Sequence, residues 1–210
     1  MTEETPEAAE SYYIEKMGEE LGTHFDLLLQ EVAWLHFKWS EGVELFGSEP
    51  ARLELLNETA PTFFNIIENM LWEAVTLHIV RLTDPPESMC YKNLTIRKLP
   101  ELVDDPEFKA TLSELVETAR QKAGICLNWR NKYIAHCDLE LALSDGTSQS
   151  EPPSSKDVNE ALESIVAVMK AMSEHFTESE LFFSKTALLG TQRLLEVLDA
   201  GVRKLRECEE

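Results

Sequence analysis

The chain is poor in the residues that staple or metallate a small protein. Its 210 residues hold four cysteines (Cys90, Cys126, Cys137, Cys208), none in a Cys-x-x-Cys spacing. Neither a disulfide frame nor a zinc site follows, and the thiols are expected reduced in a cytoplasmic protein. The five histidines (His24, His36, His78, His136, His175) are too scattered to ligate a metal by local spacing. There is no phosphate-binding glycine loop, no Gly-x-Ser-x-Gly and no His-Glu-x-x-His, so no metal and no cofactor is expected. Positive charge is scarce: 19 Lys and Arg stand against 39 Asp and Glu, a net charge of −20. Long apolar runs are absent too. The most apolar segment, Pro61 to Leu82, carries Glu68, Glu73 and Arg81, which argues against a membrane span. The N-terminus is acidic (Glu3, Glu4, Glu7, Glu10) rather than basic then apolar, so it does not read as a signal peptide.

Such acidity repels a polyanion, but it is uneven. Residues 1–89 carry 4 Lys and Arg against 18 Asp and Glu, and residues 136–210 carry 7 against 15. Residues 90–135 carry 8 against 6. The only segment that is not acidic therefore leads to one polar cluster, Asn128 to Asp138 (Asn-Trp-Arg-Asn-Lys-Tyr-Ile-Ala-His-Cys-Asp). Two readings of its cations stay open. One is a solvated helix of mixed charge. The other is a docking patch of Lys92, Arg97, Lys98, Arg120, Lys122, Arg130 and Lys132.

Within the cluster Arg130 can grip a phosphate with a planar fork of donors, and His136 can move a proton near neutral pH. Together they are a minimal kit for breaking RNA without metal. The two are six residues apart, so on a straight α-helix they sit roughly 120° apart with about 9 Å of rise between them. They converge only if the helix breaks or a second copy of the motif faces the first across a two-fold axis. The plainer reading is structural: Arg130 bonds a helix C-terminal carbonyl or Asp138, and His136 serves as a cap.

Arg130-Asn131 followed by His136 resembles the Arg-polar-His signature of the HEPN superfamily. The run Arg-Asn-Lys-Tyr-Ile-Ala-His-Cys-Asp is similar, more narrowly, to the abortive-infection AbiU-type branch. Leu35-His36 with Trp39 ahead of Leu45-Phe46-Gly47, then Arg81-Leu82-Thr83-Asp84-Pro85, and Asn93-Leu94-Thr95-Ile96 before Leu99, agree with it. The likeness spans roughly residues 30 to 140. It implies an α-helical bundle that dimerises and, in active members, cleaves RNA without metal. Arg130 and His136 match the signature positions, with Asn131 as the polar neighbour. Lys132 and Asp138 are supporting residues; Asp138 either orients His136 or neutralises Lys132. The implied setting is phage defence or a toxin–antitoxin system, with RNA, a second copy across a composite site and a cognate antitoxin as partners. The competing expectation is a catalytically silent interaction module whose acidic surface binds a basic protein.

The periodicity predicts an all-α fold of about six helices. Residues 1–10 are expected to be a frayed acidic N-terminus, and 11–210 a single helical domain with a polar loop at 144–154. Apolar residues at three- and four-residue steps predict one helix from Ser11 through Phe46, with Gly18 and Gly22 as weak points. Pro50 and Pro61 open two further helices, the second apolar nearly all round and so expected buried. His36 is expected to be packed. His78 reads as a core histidine and Arg81 as the partner of Asp84, with a supporting role at the site as the sharper alternative. Asp105-Pro106 starts the helix that carries the motif. Leu139, Leu141 and Leu143 alternate as one short strand would. Ser154 or Ser155 caps a helix through Phe176, and Thr177-Glu178-Ser179-Glu180 matches the capping box of a last helix, with Gly190 a kink.

Overall fold

Proline and capping residues divide this chain into helices, and most of the divisions lie where local chemistry demands them. The computed structural model describes residues 6–47, 49–134, 152–181, 183 and 189–209. His136, Cys137, Asp138, the expected strand at 139–143 and the loop up to 151 lie outside the described residues. Among the described residues there are nine α-helices: α1 (Pro6–Met17), α2 (Glu19–Phe46), α3 (Pro50–Thr59), α4 (Pro61–Thr83), α5 (Leu99–Leu102), α6 (Pro106–Lys122), α7 (Gly124–Trp129), α8 (Ser155–Thr177) and α9 (Leu189–Glu209). The only strands among them are two-residue pieces, Glu87–Ser88 and Tyr91–Lys92, paired antiparallel. The fold is all-α, as the periodicity predicted, and no described helix is long and apolar enough to cross a membrane.

The single helix expected from Ser11 to Phe46 is two. Gly18 adopts φ +84, a left-handed value that closes α1 and lets α2 turn back. Gly22 acts through space instead: a Cβ there would lie 2.5 Å from the Tyr13 carbonyl oxygen and 2.6 Å from the Ile14 nitrogen. Only glycine lets α1 lie this close to α2. The Tyr13 ring meets Phe25 edge-on, with centroids 4.9 Å apart. α1 begins at Pro6, within the stretch expected to be frayed.

The helical region divides into two compact units, Met1–Ala33 with Thr76–Phe182, and Trp34–Val75 with Phe183–Glu210. In the first, α6 packs against α8. Leu112, Val116 and Ala119 of α6 and Val158, Leu162, Ile165, Met169 and Met172 of α8 are buried. Asp105 caps α6 by accepting from the Glu107 and Phe108 amides at 2.9 and 3.3 Å. Ser154 caps α8 in a reciprocal box with Asp157, which also depresses the Asp157 pKa, chiefly through the Ser154 hydroxyl.

In the second unit Leu45, Leu56 and Phe64 form a small core, with Leu195 and Leu198 of α9 against it. α9 is tied at both ends. Glu41 accepts the Thr191 amide at 3.1 Å together with the Thr191 hydroxyl, a carboxylate where the helix N-terminus favours one. Near the other end Arg206 grips Glu58 with two donors, at 2.9 and 2.5 Å. Gly190 is the second residue of α9, and residues 184–188 ahead of it lie outside the described residues. Thr177-Glu178 closes α8: the Thr177 hydroxyl donates to the Ser173 carbonyl at 2.7 Å, and Glu178 is left-handed at φ 53. The expected N-terminal capping box is thus a C-terminal stop. The first half of α4 is also less buried than its composition implies, with Phe63, Ile66 and Met70 57%, 51% and 59% exposed.

Candidate active site at Arg130

The helix that leads to the motif does not run straight. Asp105-Pro106 starts it as expected, but α6 ends at Lys122, α7 takes over at Gly124, and Arg130–Ile134 winds as one π-turn. A π-turn widens the helix and re-aims the side chains within it, and such turns concentrate at functional sites. Arg130 is therefore not on a straight α-helix, the geometry that would set it roughly 120° from His136. Trp129 and Tyr133, four apart across the turn, stack with ring centroids 3.8 Å apart. One turn earlier Cys126 is fully buried. Burial, and then the nearby Asp157 charge, pushes its thiol up to about 12, so it is no nucleophile.

The guanidinium of Arg130 is held at two nitrogens. Nη1 donates to the Asn131 side-chain oxygen at 3.0 Å. Nη2 lies 3.3 Å from each carboxylate oxygen of Asp84. Nε is buried and has no hydrogen-bond partner among the described residues. The pair is only partly buried, with Arg130 26% and Asp84 28% exposed. Of the predicted site residues, Arg130 and Asn131 are thus brought together, and Lys132 is exposed on the same turn. His136 and Asp138 lie outside the described residues.

Asp84 does not pair with Arg81, the partner its sequence neighbourhood suggests. Arg81 lies 3.6 Å from Glu31, which also sits 2.8 Å from His78 Nε2, the buried histidine. Asp84 is left to Arg130. Its position is built from behind. Thr95, fully buried, places its hydroxyl 2.9 Å from both the Leu82 and the Asp84 carbonyl oxygens. The Thr95 hydroxyl accepts the Arg97 amide at 3.3 Å, capping the short turn Ile96–Lys98, and its carbonyl accepts from His24 Nε2 at 3.1 Å. Asn93 donates to the Pro85 carbonyl at 2.7 Å. The signal for Asp84 was its place before Pro85, where a helix must end and a side chain is freed to reach elsewhere.

The surrounding cations are largely neutralised. Lys98 donates to Glu101 at 2.6 Å and Lys122 to Glu160 at 2.6 Å. Arg120 forks onto Glu117 at 2.7 and 2.6 Å, and that bond holds the Glu117 carboxyl down to about 2. The supposed docking patch is thus mostly paired charge on a solvated face. Outside the motif, His36 stacks on Phe183 with centroids 5.0 Å apart, and burial lowers its pKa. Among the described residues no group of three or more His, Cys, Asp or Glu could hold a metal ion.

Comparison with protein-family models matches residues 18–188 to AbiU2, a HEPN family. The span is longer than the stretch from 30 to 140 on which the likeness was read, and it takes in Asp84, Thr95 and the whole of the Arg130 cluster. No curated protein and no solved structure matches the chain significantly. With an all-α fold and the matched span covering most of its length, the chain belongs to the abortive-infection AbiU2 family of the HEPN superfamily.

Proposed function

We propose that this protein is a metal-independent endoribonuclease of a phage-defence or toxin–antitoxin system, acting in the cytoplasm as a homodimer. The observation that carries the reading is Arg130: a guanidinium held at two nitrogens on a π-turn, in a chain whose next residues complete the Arg-polar-His pattern.

In the proposed reaction a base takes the proton from a ribose 2′-hydroxyl. The 2′-oxygen attacks phosphorus in line, the P–O5′ bond breaks, and the departing 5′-oxygen takes up a proton. The products are a 2′,3′-cyclic phosphate and a 5′-hydroxyl. His136 carries one of the two proton transfers as general base or acid. The other falls to the second copy of the motif across the two-fold axis. Arg130 holds the charge that grows on the phosphoryl oxygens. Asn131 orients the phosphate or the imidazole, and Lys132 adds positive charge. Asp138 orients His136 or offsets Lys132. The exposed Phe63, Ile66 and Met70 support a face that another chain covers, and a cognate antitoxin is the partner such a system would add.

The test is RNA cleavage in EDTA by wild type, His136→Ala and Arg130→Ala, with end-group analysis. Metal-independent cutting that leaves cyclic phosphate, lost in both variants, is the expected result. No cutting of a broad RNA panel by folded wild type would sink the reading.

One observation favours a second reading, a silent module that binds a basic protein. The chain carries a net charge of −20, and the cations leading into the motif are spent on neighbouring carboxylates. Under it Arg130→Ala would leave every RNA assay unchanged and lower folding stability by about 1 kcal/mol or more.

A further inference from the structure

We propose that Asp84 is a positioning residue for Arg130, and that Thr95 holds Asp84 in place. The proposal rests on the ribonuclease reading above and adds to it a residue outside the motif.

An arginine side chain has many rotamers, and ordering it costs entropy. Here two acceptors on different nitrogens fix its plane: Asn131 at Nη1 and Asp84 at Nη2. Asn131 is its exposed chain neighbour and moves with it. Asp84 is 46 residues away, so among the described residues it alone refers the guanidinium to the rest of the unit. It is itself anchored. Its own carbonyl and that of Leu82 share the Thr95 hydroxyl at 2.9 Å. The Thr95 carbonyl is bonded by His24, and the next carbonyl, Pro85, is bonded by Asn93.

The geometry also argues against a mask. A carboxylate that occupies an arginine takes two nitrogens, one oxygen to each. Asp84 directs both oxygens at Nη2 alone, each at 3.3 Å. The Nε donor stays without a partner among the described residues, and five donors are more than two acceptors use up. Asp84 holds one corner of the guanidinium, and the Arg130 side chain keeps 26% of its surface exposed.

The test combines cleavage kinetics with nitrogen-15 NMR of the arginine side chains, the Arg130 signals being assigned by their loss in Arg130→Ala. Variants are Asp84→Ala, Asp84→Asn, Asp84→Glu and Thr95→Val, each checked for folding by circular dichroism. Asp84→Ala is expected to lower kcat roughly ten- to a hundredfold, the range for a misplaced catalytic group, with KM little changed. Asp84→Asn, nearly isosteric, recovers part of the rate, and Thr95→Val lowers kcat in the same direction. In the Arg130→Ala background Asp84→Ala has no further effect. The two Arg130 Nη signals, distinct in wild type, merge in Asp84→Ala as rotation is freed. An Asp84→Ala variant as fast as wild type, or faster, overturns the proposal, as does a fall in kcat with the Arg130 signals unchanged. If wild type cuts no RNA, the ribonuclease reading fails by itself, and the NMR still decides whether Asp84 holds Arg130.

Discussion

Arg130 and Asp84, 46 residues apart in the chain, meet with a guanidinium nitrogen 3.3 Å from both carboxylate oxygens. The contact joins the end of α4 to the π-turn that carries the motif. It makes the shape of the cation, and not only its charge, part of the site.

Arg130→Lys is therefore expected to behave like a deletion. An ammonium has a single nitrogen and cannot bond Asn131 and Asp84 while presenting a further planar edge. Metal-independent cleavage should fall by roughly 10²-fold or more, the scale for losing one preorganised transition-state donor. Lysine activity near wild type, measured as kcat, would mean that only charge is needed there.

Gly22→Ala separates a close approach from a weak helix position. Within an ordinary helix, alanine is better than glycine by about 1 kcal/mol. At Gly22 the new methyl would lie 2.5 Å from the Tyr13 carbonyl oxygen, so α1 must shift, and overpacking of this kind costs roughly 1–3 kcal/mol. Urea unfolding decides the sign, and a stabilised variant would show that α1 does not lie on α2 in solution.

His36 should make the protein less stable in mild acid. Burial lowers its folded pKa below the ordinary 6.5. As pH falls through that ordinary value the unfolded chain takes up the proton first, so the contribution of a neutral His36 is complete above it. It is lost on acidification, levelling off only below the folded pKa. Replacing His36 with Gln should flatten the fall in unfolding free energy between about pH 7 and 5. Equal slopes in the two proteins would locate the acid sensitivity elsewhere.

Ile66→Asp tests the exposed face of α4. Phe63, Ile66 and Met70 follow one another at three- and four-residue steps with more than half of each side chain exposed. Wild type should sediment as a dimer and Ile66→Asp as a monomer, with the helical signal retained because no buried group is changed. A monomeric wild type at micromolar concentration would remove the composite-site arrangement.

Most of the helix punctuation was legible because it is local. Pro50 and Pro61 at helix starts, Asp105 ahead of Pro106, and Ser154 with Asp157 each act within one turn. The same local logic misled at Thr177-Glu178-Ser179-Glu180, where hydroxyl and carboxylate spacing fits a start and a stop alike. What settles it is the bond from the Ser173 hydroxyl to the Ser179 carbonyl at 2.9 Å, and no spacing rule reports such a bond. The burial of α4 was misread for a related reason. Composition says how apolar a helix is, but not how many of its faces find a neighbour.

By itself the sequence determined the all-α class and the helix boundaries set by caps and prolines, and it singled out Arg130 and Asn131 as candidate site residues. Those depend on residue type and on spacings of a few positions. Only the tertiary structure decided that Gly22 marks an approach of two helices, that the motif helix widens into a π-turn at Arg130, and that Asp84 serves Arg130 rather than Arg81. The last turns on which of two chemically equivalent arginines comes within about 3 Å of one carboxylate, and the first on how closely two backbones approach. That is decided by the packing of residues far apart in the chain.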